Sequence, residues 1–505
     1  MKPRLTSSRR LPKSMLAASA LVAAGSLTWI GMAGAQAAPA APAHVNHGGT
    51  VLQTNLVSDL PGIAAVTDPN LVNPWGISES TGSPFWISDN NSGLTTLYQV
   101  PGASSAPVSV VPLVVNIPTP VATTGGAPTG TVFNSANASG AFKVSGLNKS
   151  GQPASAAALF LFDTEDGTIV GWNPGIDPTG KFAGAGGASA QAAIAVDNSG
   201  NNFTNPDPNQ QTGAVYKGLA IATSSTPIIT GDASSTALLY ASNFRAGTVE
   251  VYDSTFTKVT TLPAGAFTDP RLPDGYAPFN VQVLNGQVYV TYAKQDATKH
   301  DDDAGPGRGF VDVYNLDGTP GLPGGKVRLI SRGPLDSPWG LAIAPTGFAG
   351  LSARGGDPVL LVGNFGNGRV HAFDAANGYE LGSLRDPDGE PIVVDGLWAL
   401  RVGNGGSGGL ANTVYFTAGL FGETHGLFGS FTTATPGSAE GPAEGQWVQA
   451  NLDEVQLALT QLNKDVASGA PAATIDTDRQ ALNADTRQFA DVARDYGADA
   501  VADAG

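Results

Sequence analysis

The phrase NPWGIS at residues 73–78 returns as SPWGLA at residues 337–342, 264 positions further on. A chain that repeats itself at such range is built from stacked or radially arranged units, and the period decides which. The same register recurs as KGLAI at 217–221, FNVQV at 279–283, WGLAI at 339–343 and WALRV at 398–402. The steps from Lys217 to Phe279, Trp339 and Trp398 are 62, 60 and 59 residues. Trp75 precedes Lys217 by 142 residues, which leaves room for one more unit, and TGTVFN at 129–134 supplies its first strand. Six units result.

The second half of each unit repeats more plainly. LLYASNFRAGTVEVYD (238–253) and LLVGNFGNGRVHAFD (360–374) both run apolar strand, polar turn, Gly, alternating strand, Asp. Short β-branched and aromatic runs bounded by Gly, Asn and Asp are strand and hairpin signals. Six four-stranded antiparallel units predict an all-β fold, a six-bladed β-propeller over residues 50–435. NPWGIS is then an innermost strand, entered through a proline that fixes the turn before it. Trp75 and Trp339 are expected to pack between blades, as large apolar side chains of a repeating core do. TVLQTNLV (50–57) is a strand without a unit of its own. It is expected to complete the last blade and leave no open edge.

NLVSDLPGIAAVTDPNLVNPWGISESTGSPFWISDNNSGLTTLY (55–98), FDTEDGTIVGWNP (162–174) and the segment from YAKQDATKHDD to GPGRGFVDVYNLDG (292–318) carry a resemblance. They resemble a family of exported bacterial proteins of uncharacterised activity, fold-level relatives of NHL and gluconolactonase-type six-bladed propellers. The resemblance covers roughly residues 50–435. It implies the fold and no activity.

The flanks differ from the repeats. Residues 1–37 read as a signal peptide: five basic residues up to Lys13, an apolar run from Met15 to Ala33, then small residues with cleavage near Ala35 or Ala37. Residues 38–49 form a flexible lead-in. Residues 436–450 are a Pro-, Gly- and Ser-rich linker. In 451–505, Leu452, Val455, Leu459, Leu462 and Val466 fall at spacings of three and four, and Ile475, Leu482, Phe489, Val492 and Tyr496 repeat the pattern. These are helix faces separated by ASGAPAA, which predicts a C-terminal α-helical hairpin. It is suited to packing on the propeller or to assembly with an envelope partner. No run after the leader is long enough to span a bilayer, so the mature chain is expected free of transmembrane segments and extracytoplasmic.

The charge narrows the partners. The chain is formally −16, and −21 without the five leader cations, so it repels phosphate backbones and is not expected to bind nucleic acid. It contains no cysteine, which excludes disulfides, thiolate metal sites and a Cys nucleophile.

In a propeller the turn after each second strand opens on the same face as the turn into each innermost strand. The candidates on this top face are Asp89, Asn90, Glu165, Asp166, Asn243, Arg245, His300, Asp301, Asn364, Glu423 and His425, with Asn91 and Asn367 beside them. Asp68, Asn73, Asp336 and Asp395 come from the turns into innermost strands. Carboxylate and amide oxygens converging on one mouth suit a hard cation such as Ca²⁺. The same residue types are also those tight turns require. HDDD (300–303) lacks the alternating pattern of an EF-hand loop, GGSGG (405–409) lacks the strand–helix setting of a nucleophile elbow, and no dinucleotide fingerprint is present.

The leading expectation is an exported, non-catalytic propeller that binds a small molecule, glycan or protein on its top face, with Ca²⁺ as a possible support. The alternative is a calcium-dependent lactonase-type hydrolase, for which Glu165, Asn243 and Asn364 come from different blades. A third is an envelope scaffold that assembles through the C-terminal helices.

Overall fold

The computed structural model describes residues 49–102, 107–200 and 210–435, and scattered residues from 459 to 482. The leader and most of the predicted C-terminal hairpin lie outside the described residues. Within the hairpin segment, residues 459, 460, 462–464, 466, 474, 475, 479 and 482 are helical.

The fold is all-β. Antiparallel sheets follow one another along the chain, each starting with one of the repeated phrases. The first begins with Pro74–Ser78, Phe85–Asp89 and Leu94–Gln99, and the second with Pro128–Phe133, Phe160–Thr164, Thr168–Trp172 and Ala193–Asp197. Tyr216–Thr223, Ala237–Asn243 and Thr248–Tyr252 make the third. Tyr276–Leu284, Gln287–Lys294, Gly309–Tyr314 and Arg328–Ser331 make the fourth. Pro338–Ile343, Val359–Asn364, Val370–Asp374 and Glu380–Arg385 follow, and then Leu397–Val402, Val414–Gly419 and His425–Thr433. The first strand of each sheet touches the first strand of the next, and Leu397–Val402 touches Pro74–Ser78 again, so the contacts form a closed, propeller-like circuit.

Alternation along each strand explains the core. Leu161 and Ile169 face the third sheet with Leu219 and Leu239, while Phe160, Phe162 and Trp172 face the first with Trp86 and Leu97. The period of two gives every inner sheet two apolar faces, each buried against a neighbour. Gly49–Ser58 pairs antiparallel with His425–Thr433 and so adds an outer strand to the last sheet from the other end of the chain. Its first two residues also bridge Leu384 and Arg385 of the preceding sheet.

The register of each first strand slips by a bulge just inside its start, as between Pro74 and Ile77, Tyr216 and Leu219, and Pro338 and Gly340. A bulge re-aims the side chain at the slip. The glycine of the repeated phrase stands there because neighbouring first strands come too close for a side chain. A Cβ on Gly130 would lie 2.2 Å from Leu219 N, and one on Gly340 2.6 Å from Trp398 O.

The bulge also settles where the tryptophans go, and corrects the expectation that they pack between sheets. Trp75, Trp339 and Trp398 point inward and fill the centre of the circuit. Trp75 stacks on Trp398 at 3.4 Å between ring centroids, and Trp339 meets both edge-on at 6.1 and 5.7 Å. Trp75 and Trp339 belong to sheets that are not neighbours in the circuit, so a contact between them is possible only across its middle.

Asp89, which ends the second strand of the first sheet, is wholly buried, and hydrogen bonding from Thr96 offsets only part of the cost of removing its carboxylate from water. Burial pushes its carboxyl well above the usual range, and the charge of Asp68 adds to this. A group whose folded pKa is raised loses its stabilising contribution as pH climbs from its unfolded value of about 4 through the folded one. Asparagine stands at the matching positions 243 and 364. Asp89→Asn should therefore be more stable than the wild type by about 1–3 kcal/mol at pH 8, with the gap closing towards pH 4. Urea unfolding across that range measures it, and a gap independent of pH would refute it.

Candidate functional site

At the position where three other first strands carry tryptophan, the third sheet carries Lys217. Its side chain is 2% exposed, and its ammonium sits over the Trp75 ring at 5.0 Å and the Phe244 ring at 6.0 Å. The ammonium donates to Glu165 Oε1 and to Asp301 Oδ1, the latter at 3.0 Å. Burial alone would strip the lysine of its charge, but Glu165 and Asp301 outweigh it and hold the ammonium above its ordinary value. Burial would likewise raise Asp301, yet Lys217 and the adjoining His300 keep it well below the usual carboxylate range. A buried charge is tolerable only when paired and hydrogen-bonded in this way.

The network continues in both directions. His300 Nδ1 lies 2.9 Å from Asp301 Oδ1, and Asn90 Nδ2 donates to Glu165 Oε2 at 2.9 Å. Asn73 Nδ2 donates to Glu423 Oε1 at 3.1 Å and to Asn91 Oδ1 at 3.3 Å, while Trp398 Nε1 donates to Asn73 Oδ1 at 3.1 Å. Asn91 Nδ2 in turn donates to the Glu423 carbonyl at 2.6 Å. Polar groups from five of the sheets thus form a collar over the tryptophan cluster.

Glu423 reaches the collar by an unusual route. Phe421, Gly422 and Glu423 all have positive φ, at 55°, 62° and 69°. A non-glycine residue in this region costs about 1–3 kcal/mol and persists only where its surroundings impose it. Asp395 Oδ2 accepts from Phe421 N at 2.7 Å and pins the start of the turn. Burial pushes the Glu423 carboxyl up to about 7, reinforced by the charge of Glu165. Burial raises the Asp302 carboxyl to about 6, against the opposing hydrogen bond from Ser337.

Beside the collar opens a cleft of about 580 Å³, walled by Asn90, Asn91, Glu165, Asp166, Gln211 and His300 and by the chain at Gly125–Ala127. Burial raises the Asp166 carboxyl to about 6, and its Oδ2 accepts from Ala127 N at 2.8 Å.

The eleven residues singled out from sequence divide accordingly. Asn90, Glu165, Asp166 and His300 line the cleft, and Asp301 and Glu423 join the collar. The others serve local structure. Asn243 accepts from Ala246 N at 3.1 Å and donates to Glu250, and Asn364 donates to Pro334 O at 2.8 Å and to Asn367. Arg245 braces Gly213 and Gln211. Asp89 is sealed in its sheet. His425 Nδ1 lies 2.7 Å from Asp59 Oδ2. Asp336 Oδ1 accepts from Gly305 N, and Asp68 closes its own turn through Asn70 N. Sequence reasoning missed Lys217, although KGLAI against WGLAI placed a lysine where the pattern demands a buried ring.

The donor set suits a hard cation poorly. One atom each of Glu165, His300 and Asp301 lie within 4.8 Å of one another. The same Glu165 and Asp301 oxygens, however, are held by the Lys217 ammonium, and a Ca²⁺ ion takes six to eight oxygen ligands rather than an imidazole.

Two uncharacterised proteins of Acanthamoeba polyphaga mimivirus resemble this chain. One is 32% identical over 384 residues, spanning 74% of this chain and 78% of its own length. The chain belongs to their family. The second is 30% identical over 384 residues, 74% of this chain and 84% of its own. These relatives are viral, whereas the sequence motifs had suggested a bacterial exported family. No family model matches the chain. Among solved structures, it is similar to a glucose dehydrogenase, with 11% identity, a TM-score of 0.39, and 72% of this chain and 96% of that one covered. It is also similar to an α-L-arabinofuranosidase of Fusarium graminearum in complex with arabinobiose, with 8% identity, a TM-score of 0.40 and coverage of 76% and 98%. Likeness of that order carries no functional argument.

Removing the ammonium would leave two carboxylates facing each other over an aromatic floor. Lys217→Met should cost about 3 kcal/mol, read from urea unfolding at pH 7, and adding Glu165→Gln should restore part of it. Equal stability of the single and double variants would contradict the pairing.

Proposed function

We propose that this chain is an exported six-bladed β-propeller that binds a small, neutral, hydroxyl-rich ligand in the cleft beside its axis. One observation carries the reading. Amide and carboxylate groups from different sheets are fixed around a single buried ammonium and face a cleft of about 580 Å³. Clefts of roughly 300–1,000 Å³ hold small ligands. Amide N–H donors alternating with carboxylate acceptors match the vicinal hydroxyls of a saccharide, and their mutual hydrogen bonds keep them in place before a ligand arrives. Six blades are supported by the six repeated phrases and by the closed circuit of first strands. Export is supported by the basic, apolar and small-residue order of the leader. The chain should be found outside the cytoplasm with its N-terminus after Ala35 or Ala37, and confinement to the cytoplasm with Met1 retained would overturn export.

The calcium-dependent lactonase reading has less support, because Lys217 already supplies the positive charge its metal would bring. Thermal shift with a panel of neutral mono- and disaccharides, with and without millimolar calcium, separates the two. At least one saccharide should raise the melting temperature in the absence of calcium, and Asn90→Ala and Glu165→Gln should abolish the rise. A rise seen only with calcium would favour the lactonase-type site. A rise that survives in both variants would place the ligand elsewhere.

A further inference from the structure

We infer that the far end of the axis, behind the tryptophan floor, holds a second binding site, in which Arg401 receives a small monovalent carboxylate. This site shares no residue with the cleft beside Lys217, and the inference does not rest on the saccharide reading.

The later residues of five first strands enclose a cavity of about 250 Å³. Ser78 and Glu79 come from the first sheet, Thr131 from the second, Ala220 from the third, Gln282 from the fourth and Arg401 from the last. Trp75, Lys217 and Trp398 stand three residues before Ser78, Ala220 and Arg401. Three positions along a strand span about 10 Å, so the rings separate this cavity from the collar. The same position of the repeated phrase is Ala220 in the third sheet and Ala342 in the fifth, whereas the fourth and last sheets carry Gln282 and Arg401. Two long polar side chains thus stand where the repeat elsewhere needs only a methyl group.

Glu79 and Arg401 decide what the cavity takes. Arg401 Nε donates to both Glu79 oxygens, at 2.9 and 3.0 Å, and Nη2 lies 2.8 Å from Oε1. That occupies one edge of a planar group with five N–H donors. Nη1 has no hydrogen-bond partner among the described residues, so the edge formed by Nη1 and Nη2 is left for a ligand. The Glu79 side chain is 5% exposed and that of Arg401 39%, which makes the cation the open half of the pair. Ser78 Oγ and Thr131 Oγ1, 2.9 Å apart, satisfy each other. The side chains of Ser135 and Gln282 line the same cavity and make no hydrogen bond among the described residues. A guanidinium edge matches the two oxygens of a carboxylate, and Glu79 holds that edge in place before the ligand arrives. Glu79 also cancels one full charge, so a singly charged acid is favoured over a doubly charged phosphate. Phe133, Ile221 and Val283 give the cavity an apolar wall for a short hydrocarbon tail.

The test is calorimetric titration of the full chain with butyrate and benzoate, each against its neutral amide, and with inorganic phosphate. At least one of the two acids should bind saturably, and its amide and phosphate should not. Arg401→Lys keeps a cation beside Glu79 but has no second planar edge, and it should weaken the acid by about 10-fold or more. Gln282→Leu leaves the ion pair intact and should weaken it by about threefold or more, which guards against an Arg401 variant that misfolds. The melting temperature of each variant, measured alongside, shows that the fold is kept. Absence of saturable binding by either acid would overturn the inference. Equal binding of acid and amide, or of acid and phosphate, would overturn the assignment to a carboxylate. Undiminished affinity in both variants would place the acid away from this cavity and overturn the site.

Discussion

Everything at the centre of this molecule follows from how closely its first strands approach one another. At Gly76, Gly130, Gly218 and Gly340 the backbone of the next first strand passes too close for a side chain, and the residue beside each is turned inward by the bulge. The side chains so directed must fill a narrow axis without gaps. Three tryptophans and a phenylalanine do most of this, and they stack and cross at distances where aromatic rings gain beyond simple area burial. The axis becomes a floor rather than a channel.

Lys217 is the exception around which the polar collar is built. It occupies a place built for a ring, so its stem is dry and its charge has nowhere to go except towards acids on adjoining turns. Glu165 and Asp301 are there, and each then orders a further neighbour, Asn90 or His300. A single cationic substitution in a hydrophobic repeat thus organises the collar. The ammonium gives the collar a positive charge that is covalently part of the chain.

The repeats were readable because strand alternation and turn residues are local properties, and because the phrases that start each sheet recur at nearly constant intervals. The inward turn of Trp75 and Trp339 was not, since it depends on a bulge that no residue type announces. For the site, residue type alone could not separate Asn90 from Asn243. Both are turn amides, yet one holds the carboxylate that pairs with Lys217 and the other closes its own loop. Only the long insert after the fourth sheet's second strand, which carries His300 and Asp301 across to Lys217, decides which turns become a site. That reach between distant segments leaves no periodic trace.

The strand Gly49–Ser58 finds its antiparallel partner in the last strand before residue 434. Most of the chain must therefore exist before this strand can meet its antiparallel partner. Contacts between such distant segments slow folding, because the loop entropy must be lost before the pairing compensates for it. During synthesis the sheets can form in turn, but the circuit stays open and this strand has only its short parallel bridge to Val66–Thr67 until its antiparallel partner arrives. A protein latched in this manner is held unfinished for longest at the strand it makes first.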